Sequence, residues 1–133
     1  MEQTVQKSKQ ELVREGLRSS MRYVEYRLMM SNLALEGKST GSIESQELSD
    51  FTSLNDQRMK RLDKTIKIDS GSEAKIKGVA KKTTWLVLTE SWCGDAAQTL
   101  PVMNKIAELN KNISLRLVLR DENLELMEQF LSN

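Results

Sequence analysis

Two kinds of apolar pattern alternate in the second half of the chain, and this alternation restricts the fold more than any other sequence feature. Thr83–Thr89 is a compact apolar run with β-branched and aromatic residues, typical of a strand buried on both faces, and Ser114–Leu119 predicts a second strand. Helical spacing returns from Asp95 to Asn110 and again over Leu124–Leu131. Because a strand–helix–strand unit of this length joins parallel strands, the sequence predicts an α/β fold with a β-α-β-α core.

The first half of the chain has helical periodicity only. Val5–Leu35 predicts one helix, a break follows in which Gly37 is a candidate C-cap, and Ser45–Lys64 predicts a second helix. The apolar positions of these helices are Leu12, Val13, Leu17, Met21, Val24, Leu28 and Leu33, then Leu48, Phe51, Leu54, Met59 and Leu62. Two amphipathic helices with a short polar loop suggest a helix hairpin. We therefore expect an N-terminal helical region over residues 1–68 and an α/β domain over residues 69–133.

The only cysteine, Cys93, lies in the segment Thr89–Ala96, between the first predicted strand and the helix. The first N–H groups of a helix have no internal partners and carry partial positive charge, so they stabilise a thiolate placed there. Cys93 is therefore the candidate nucleophile. Trp92, Gly94, Asp95 and Pro101 form its supporting motif.

Each neighbour of Cys93 also has a simpler interpretation. Trp92 is expected to pack against the motif and shield the thiol rather than take part in chemistry. Asp95 either sits favourably against the helix dipole or opposes thiolate formation through its like charge. Glu90 is the nearest alternative proton acceptor, but we expect a solvated loop carboxylate. Cys93 itself is either a reactive thiol or an incidental one.

Composition excludes several classes of function. Histidine is absent, which removes Cys–His and Ser–His–Asp catalysis within this chain and leaves no expected metal or cofactor site. The net charge is +1, and the basic cluster Arg58–Lys64 has no aromatic interleaving, so we expect a solvated helix face and no nucleic-acid partner. No apolar run approaches the ~20 residues that span a bilayer, and the N-terminus lacks a signal core. A cytoplasmic protein without membrane contact is expected.

Three segments in order resemble the thioredoxin superfamily. These are the Trp92-Cys93-Gly94 turn, the Pro101–Ala107 segment with its proline inside the helix, and Leu119–Asn123 at the end of the second strand. Together they cover about Thr84–Leu131. The sequence Thr-Glu-Ser-Trp-Cys-Gly-Asp-Ala-Ala-Gln, together with the preceding helical segment Leu54–Met59, is similar to a bacterial thioredoxin family protein group with a single-cysteine motif.

The resemblance also defines what is missing. The position of the second, resolving cysteine is Ala96, and the position of a buried acidic residue in the preceding strand is Val87. The superfamily continues with a strand that begins at a cis-proline, then a hairpin strand and a helix, whereas Pro101 is the only proline here. We therefore expect a truncated thioredoxin-like core that lacks the C-terminal ββα. The strand before Cys93 would then have an open edge that another segment or subunit can cover.

The resemblance implies a monothiol function. Cys93 would exchange disulfides with a thiol-containing protein or a low-molecular-weight thiol, and an external thiol would resolve the intermediate. The alternative is a redox-inactive binding module with the same fold, in which Cys93 is incidental. A third possibility is self-association through the open sheet edge or the N-terminal helices.

Overall fold

A computed structural model describes residues 7–131. The described chain contains six α-helices and two strands, in the order α1 Lys9–Ser19, α2 Tyr23–Glu36, α3 Gln46–Thr65, α4 Ser70–Lys77, β1 Thr83–Thr89, α5 Gly94–Glu108, β2 Ile113–Leu119 and α6 Leu124–Gln129, with one 3₁₀ turn at Arg120–Glu122 before α6. The α/β class and the β-α-β-α order of the second half are confirmed. The start of the first predicted helix, at Val5, lies outside the described residues.

The two strands pair in parallel, in a register that runs from Thr83 opposite Ile113 to Thr89 opposite Leu119. The expectation that β1 is buried on both faces is wrong, because only Thr89 of this strand is buried and Thr84 is exposed. β2 is the more buried strand. The reason is its position, since β1 covers one edge of β2 and a residue from the N-terminal half covers the other.

That residue is Met21, which breaks the single helix predicted over Val5–Leu35. Met21 and Leu117 exchange two backbone hydrogen bonds, of 2.7 and 2.8 Å, in an isolated antiparallel bridge. In a continuous helix the N–H and the carbonyl of Met21 would bond within the helix and could not pair with Leu117. For this reason α1 ends at Ser19 and α2 starts at Tyr23. Arg116 holds the break by donating to the hydroxyl of Ser20 at 2.9 Å.

The loop between α2 and α3 begins and ends where the sequence suggested. Gly37 is the C-cap of α2 in the left-handed conformation, with φ 67°. The hydroxyl of Ser45 accepts a hydrogen bond from the N–H of Leu48 and caps α3. The predicted helix over Ser45–Lys64 is thus confirmed within one residue at each end.

α2 and α3 run antiparallel and are joined by polar side chains. The hydroxyl of Tyr23 donates to Asp63 at 2.6 Å, whereas Ser31, two turns further along α2, donates to Asp56 at 2.9 Å. Arg27 lies between them and forms ion pairs with both carboxylates, at 2.8 Å to Asp56 and 3.2 Å to Asp63. Burial opposes the charge of Arg27, but these hydrogen bonds outweigh it and raise the pKa of the guanidinium.

The hydrophobic core combines both halves of the chain. Its main cluster contains Tyr26 and Met30 from α2, Met59 from α3, Leu100 from α5 and Leu117 from β2, all essentially buried. A smaller cluster, built on Leu12, Val118 and Leu126, lies where α1 and α6 pack on β2. The helices of the N-terminal half therefore pack directly on the sheet and on α5.

The apolar positions of α2 and α3 do not all face this core. Val24, Leu28, Phe51 and Leu54 are exposed, whereas the buried residues of the two helices are Tyr23, Tyr26, Met30, Thr52, Asn55, Asp56 and Met59. The inner face of α3 is thus largely polar. That face borders the segment that carries Cys93.

Candidate functional site

Cys93 is the N-cap of α5, at the point where β1 ends. Its N–H donates to the carbonyl of Glu90 at 3.1 Å, and its carbonyl accepts the N–H of Ala97 at 3.2 Å, so the backbone is held on both sides. The thiol is free and partly exposed, and it makes no capping hydrogen bond. Among residues 7–131, nothing pairs with the N–H groups of Gly94, Asp95 and Ala96, which therefore point their partial positive charge at the cysteine end of α5.

Glu90 is buried, with 2 % of its surface exposed, so the expectation of a solvated loop carboxylate is wrong. One carboxylate oxygen accepts a hydrogen bond from the hydroxyl of Thr40. The other accepts the N–H of Asp121 at 2.8 Å. Glu90 thereby joins three segments: the loop after α2, the end of β1 and the turn after β2.

Ser91 is the centre of a second set of buried hydrogen bonds. Its N–H donates to the hydroxyl of Thr40 at 2.8 Å, and its hydroxyl accepts the N–H of Thr40, also at 2.8 Å. The hydroxyl of Thr52 lies 2.7 Å from the hydroxyl of Ser91, and the amide of Asn55 donates to the Ser91 carbonyl at 3.1 Å. The loop after α2 and the polar face of α3 therefore fix the segment that leads into Cys93.

Trp92 packs against the same loop and is partly buried. The guanidinium of Arg120 lies over its ring, 5.4 Å from the centroid, in cation–π geometry. Gly41, in the loop between α2 and α3, faces the indole and has a φ of 98°. A Cβ on Gly41 would lie 3.5 Å from Trp92 Nε1 and only 2.8 Å from Asp121 Oδ2. Only glycine fits this position, for both backbone conformation and space.

Tyr26 reaches the site from α2. Its hydroxyl lies 3.2 Å from the hydroxyl of Thr89, and the side chain is buried. Burial, together with the negative charges of Glu90 and Cys93, raises the pKa of Tyr26 to about 12. The phenol thus stays neutral at physiological pH.

The remaining residues of the predicted motif lie along α5. Gly94 begins the helix, Asp95 is exposed in its first turn, and Pro101 is buried inside it. Ala96, at the position of a second thiol, is half-buried against the core, and Val87 packs on the same cluster. Neither residue supplies a thiol or a proton-carrying group to the site.

Arg58 of α3 also reaches the start of α5. A Cβ on Gly94 would lie 3.9 Å from Arg58 Nη1, so the guanidinium lies beside the residue that follows Cys93. This side chain is half-buried and does not belong to the solvated face that the sequence suggested for the Arg58–Lys64 cluster.

Two further properties concern ligands and membranes. Residues 7–131 contain no group of three or more cysteine and carboxylate side chains arranged to hold a metal ion. No helix in this part of the chain is long and apolar enough to cross a membrane.

A parallel β-α-β unit with a Trp-Cys-Gly turn between its first strand and its helix defines a thioredoxin-like class of protein. A family model described as thioredoxin matches residues 42–133, well over half of the chain, and the chain therefore belongs to the thioredoxin family. No curated protein and no solved structure matches it. The matched segment begins before α3 and includes this helix, whereas the division of the chain at residue 68 stays a prediction.

Sequence reasoning did not assign a role to the polar residues that support Cys93 from the first half of the chain. Thr40 has no local signal, because its partners lie about fifty residues away. Thr52 and Asn55 carry a weak one, since they lie four and seven residues after Leu48 on the same helical face and yet are polar. A polar stripe of this kind predicts a polar partner surface rather than a core.

Proposed function

We propose that this protein is a thioredoxin-family monothiol exchanger in which Cys93 is the nucleophile. The observation that carries the proposal is the placement of a partly exposed thiol at the N-cap of a 15-residue helix whose first N–H groups have no protein partner. Such an end stabilises a thiolate, which is the form of cysteine that attacks disulfides. The partner is a thiol-containing protein or a low-molecular-weight thiol. A thiol that has to remain reduced suits the cytoplasm, and we extend the proposal to that compartment.

The reaction consists of two exchanges. In the first, the Cys93 thiolate attacks one sulfur of a disulfide RS–SR′, so that a Cys93–SR bond forms as the S–S bond breaks and R′S⁻ leaves with a proton from solvent. In the second, an external thiolate R″S⁻ attacks the sulfur of the R group, which forms RS–SR″ and releases the Cys93 thiolate. Each broken S–S bond is replaced by a new one, so the cycle needs no further oxidant or reductant.

The contacts around Cys93 favour a functional thiol over an incidental one. Six hydrogen bonds hold Glu90 and Ser91 to Thr40, Thr52 and Asn55, which fixes the backbone that leads into the cysteine. The neutral phenol of Tyr26 lies 3.2 Å from the hydroxyl of Thr89, the last residue of β1, from which this segment starts. Because these hydrogen bonds fix the site before a reactant binds, less conformational entropy is lost on binding.

The competing hypothesis is a redox-inactive binding module. Ala96 supports it, because a chain without a resolving thiol depends on an outside thiol to complete the cycle. The two hypotheses differ in what happens when Cys93 is removed: exchange requires its sulfur, whereas binding through the fold does not.

The test is turnover of a small disulfide with an excess of an external thiol. The native protein should accelerate the exchange, Cys93→Ser should abolish the acceleration, and Ala96→Cys should allow an intramolecular disulfide with Cys93 that is visible as a loss of two mass units. Acceleration that survives Cys93→Ser, or none in the native protein, would refute the proposal and leave the binding module.

A further inference from the structure

Arg58 carries a positive charge that nothing in the described chain neutralises. Its guanidinium lies beside Gly94, and within residues 7–131 it forms neither an ion pair nor a hydrogen bond, even with Asp95 in the first turn of α5. Arg27, on the neighbouring helix, is by contrast fully paired with two carboxylates. A half-buried guanidinium without a partner next to a candidate nucleophile is available to a ligand.

Arg58 belongs to a polar stripe on α3 that follows the Cys93 segment. Thr52, Asn55 and Arg58 are spaced three residues apart, so they share one face of the helix. The first two bind Ser91, and the third lies beside Gly94. The stripe therefore spans both sides of Cys93.

Two buried polar atoms in side chains that border the Cys93 segment lack partners, and one of them, Trp92 Nε1, lies on the side of Gly41. Asn55 is only 1 % exposed and its Oδ1 accepts no hydrogen bond, and the Nε1 of Trp92 donates none. In the described part of the chain these are the buried side-chain nitrogen and oxygen atoms without a partner, and both residues border the Cys93 segment. Both atoms are closed to solvent, so of the polar groups around the Cys93 segment named here only the partly exposed Arg58 is open to a ligand.

We propose that Arg58 selects the substrate, which is a small thiol or disulfide bearing a carboxylate close to its sulfur. The inference rests on the proposed exchange at Cys93. A guanidinium binds a carboxylate through two parallel hydrogen bonds, and the unpartnered N–H groups at the start of α5 favour the same charge. Asp95 is negatively charged like the carboxylate of the substrate and repels it, so Arg58 has to supply most of the attraction.

Alkylation of Cys93 with two small reagents tests this selectivity. Iodoacetate and iodoacetamide share their leaving group and reacting carbon, but only iodoacetate carries a carboxylate. The rate ratio of iodoacetate to iodoacetamide should be higher in the native chain than in the urea-unfolded chain. In Arg58→Gln it should fall by about two- to fivefold, as expected for one partly screened ion pair.

Three variants control the measurement. Arg61→Gln makes the same charge change at an exposed position of the same helix and should leave the ratio unchanged. Arg58→Lys keeps the charge and should retain most of the selectivity, and Asp95→Asn should raise the ratio. The difference in rate ratio between Arg58→Gln and the native chain should disappear as salt is raised from about 0.01 M to about 1 M, because the Debye length falls from about 30 Å to about 3 Å.

The outcomes separate the two proposals. If iodoacetamide reacts with native Cys93 faster than with the unfolded chain, but Arg58→Gln leaves the ratio at the native value, the exchange proposal survives and the role of Arg58 is refuted. An equal loss for Arg58→Gln and Arg61→Gln also refutes it, because the effect is then one of net charge. If native Cys93 reacts no faster than the unfolded chain with either reagent, both proposals fail.

Discussion

Replacing Glu90 with leucine tests whether the buried carboxylate holds the site together. The change removes the acceptor of two hydrogen bonds, from the Thr40 hydroxyl and from the Asp121 N–H. The hydroxyl keeps a second acceptor, the Ser91 hydroxyl at 3.2 Å, whereas no other acceptor binds the Asp121 N–H within the described residues. A donor left without a partner costs about 1–3 kcal/mol, and the lost hydrogen bond from Thr40 adds about 1 kcal/mol, so we expect a loss of about 2–4 kcal/mol of unfolding free energy.

Urea denaturation followed by circular dichroism measures this loss. With a slope of about 2 kcal/mol/M, the midpoint should fall by about 1–2 M at unchanged slope. Glu90→Gln keeps one acceptor oxygen in the same shape, so its loss should be about half as large. Glu44→Leu, at an exposed position in the loop before α3, is the matched control and should lie within about 0.5 kcal/mol of the native chain. If Glu90→Leu is no more harmful than Glu44→Leu, the reasoning about the buried network is wrong.

Two further predictions concern ionisation and backbone conformation. Since burial raises the pKa of Tyr26 to about 12, above the ordinary value of about 10, the stability from its neutral phenol is complete below pH ~10 and is lost as the pH rises towards ~12. Ultraviolet absorbance should then show no tyrosinate from Tyr26 at pH ~10 in the folded chain, and a full tyrosinate signal there, with native circular dichroism, would contradict the burial argument. Gly41→Ala should cost about 2–4 kcal/mol, because a φ of 98° is strained for alanine and the new methyl group meets a carboxylate oxygen at 2.8 Å. Gly37→Ala, where φ is 67° and nothing lies within 4 Å, should cost about 1 kcal/mol. Thermal melts of the two variants compare these losses, and equal losses would show that the close contact at Gly41 is unimportant.

The sequence allowed the second half of the fold to be predicted because its signals are local. The strand Thr83–Thr89 and the helix over Leu124–Gln129 follow from periodicity over a few residues, and the cysteine at the strand-to-helix junction follows from them. The break at Met21 could not be found in this way, since it depends on backbone hydrogen bonds with Leu117, nearly a hundred residues away.

The inner face of α3 was missed for a related reason. Apolar spacing favoured Phe51 and Leu54 as buried positions, yet both are exposed, because the surface that this part of α3 covers is the polar Ser91 segment. Burial of Glu90 depends on the same contacts. Pairwise polar contacts between distant segments leave no periodic trace in the sequence, so the chemical surroundings of Cys93 became visible only in the fold.

Intact-mass measurement of mixed-disulfide formation at Cys93 tests the central claim most directly. The native chain and the urea-unfolded chain contain the same single thiol and can be compared in the same disulfide reagent at neutral pH. A negative charge at a helix start is stabilised by about 0.3–1 kcal/mol, so the native chain should react faster than the unfolded chain, by up to about fivefold. A native chain that reacts at the rate of the unfolded one, or more slowly, would contradict the claim that the fold activates Cys93.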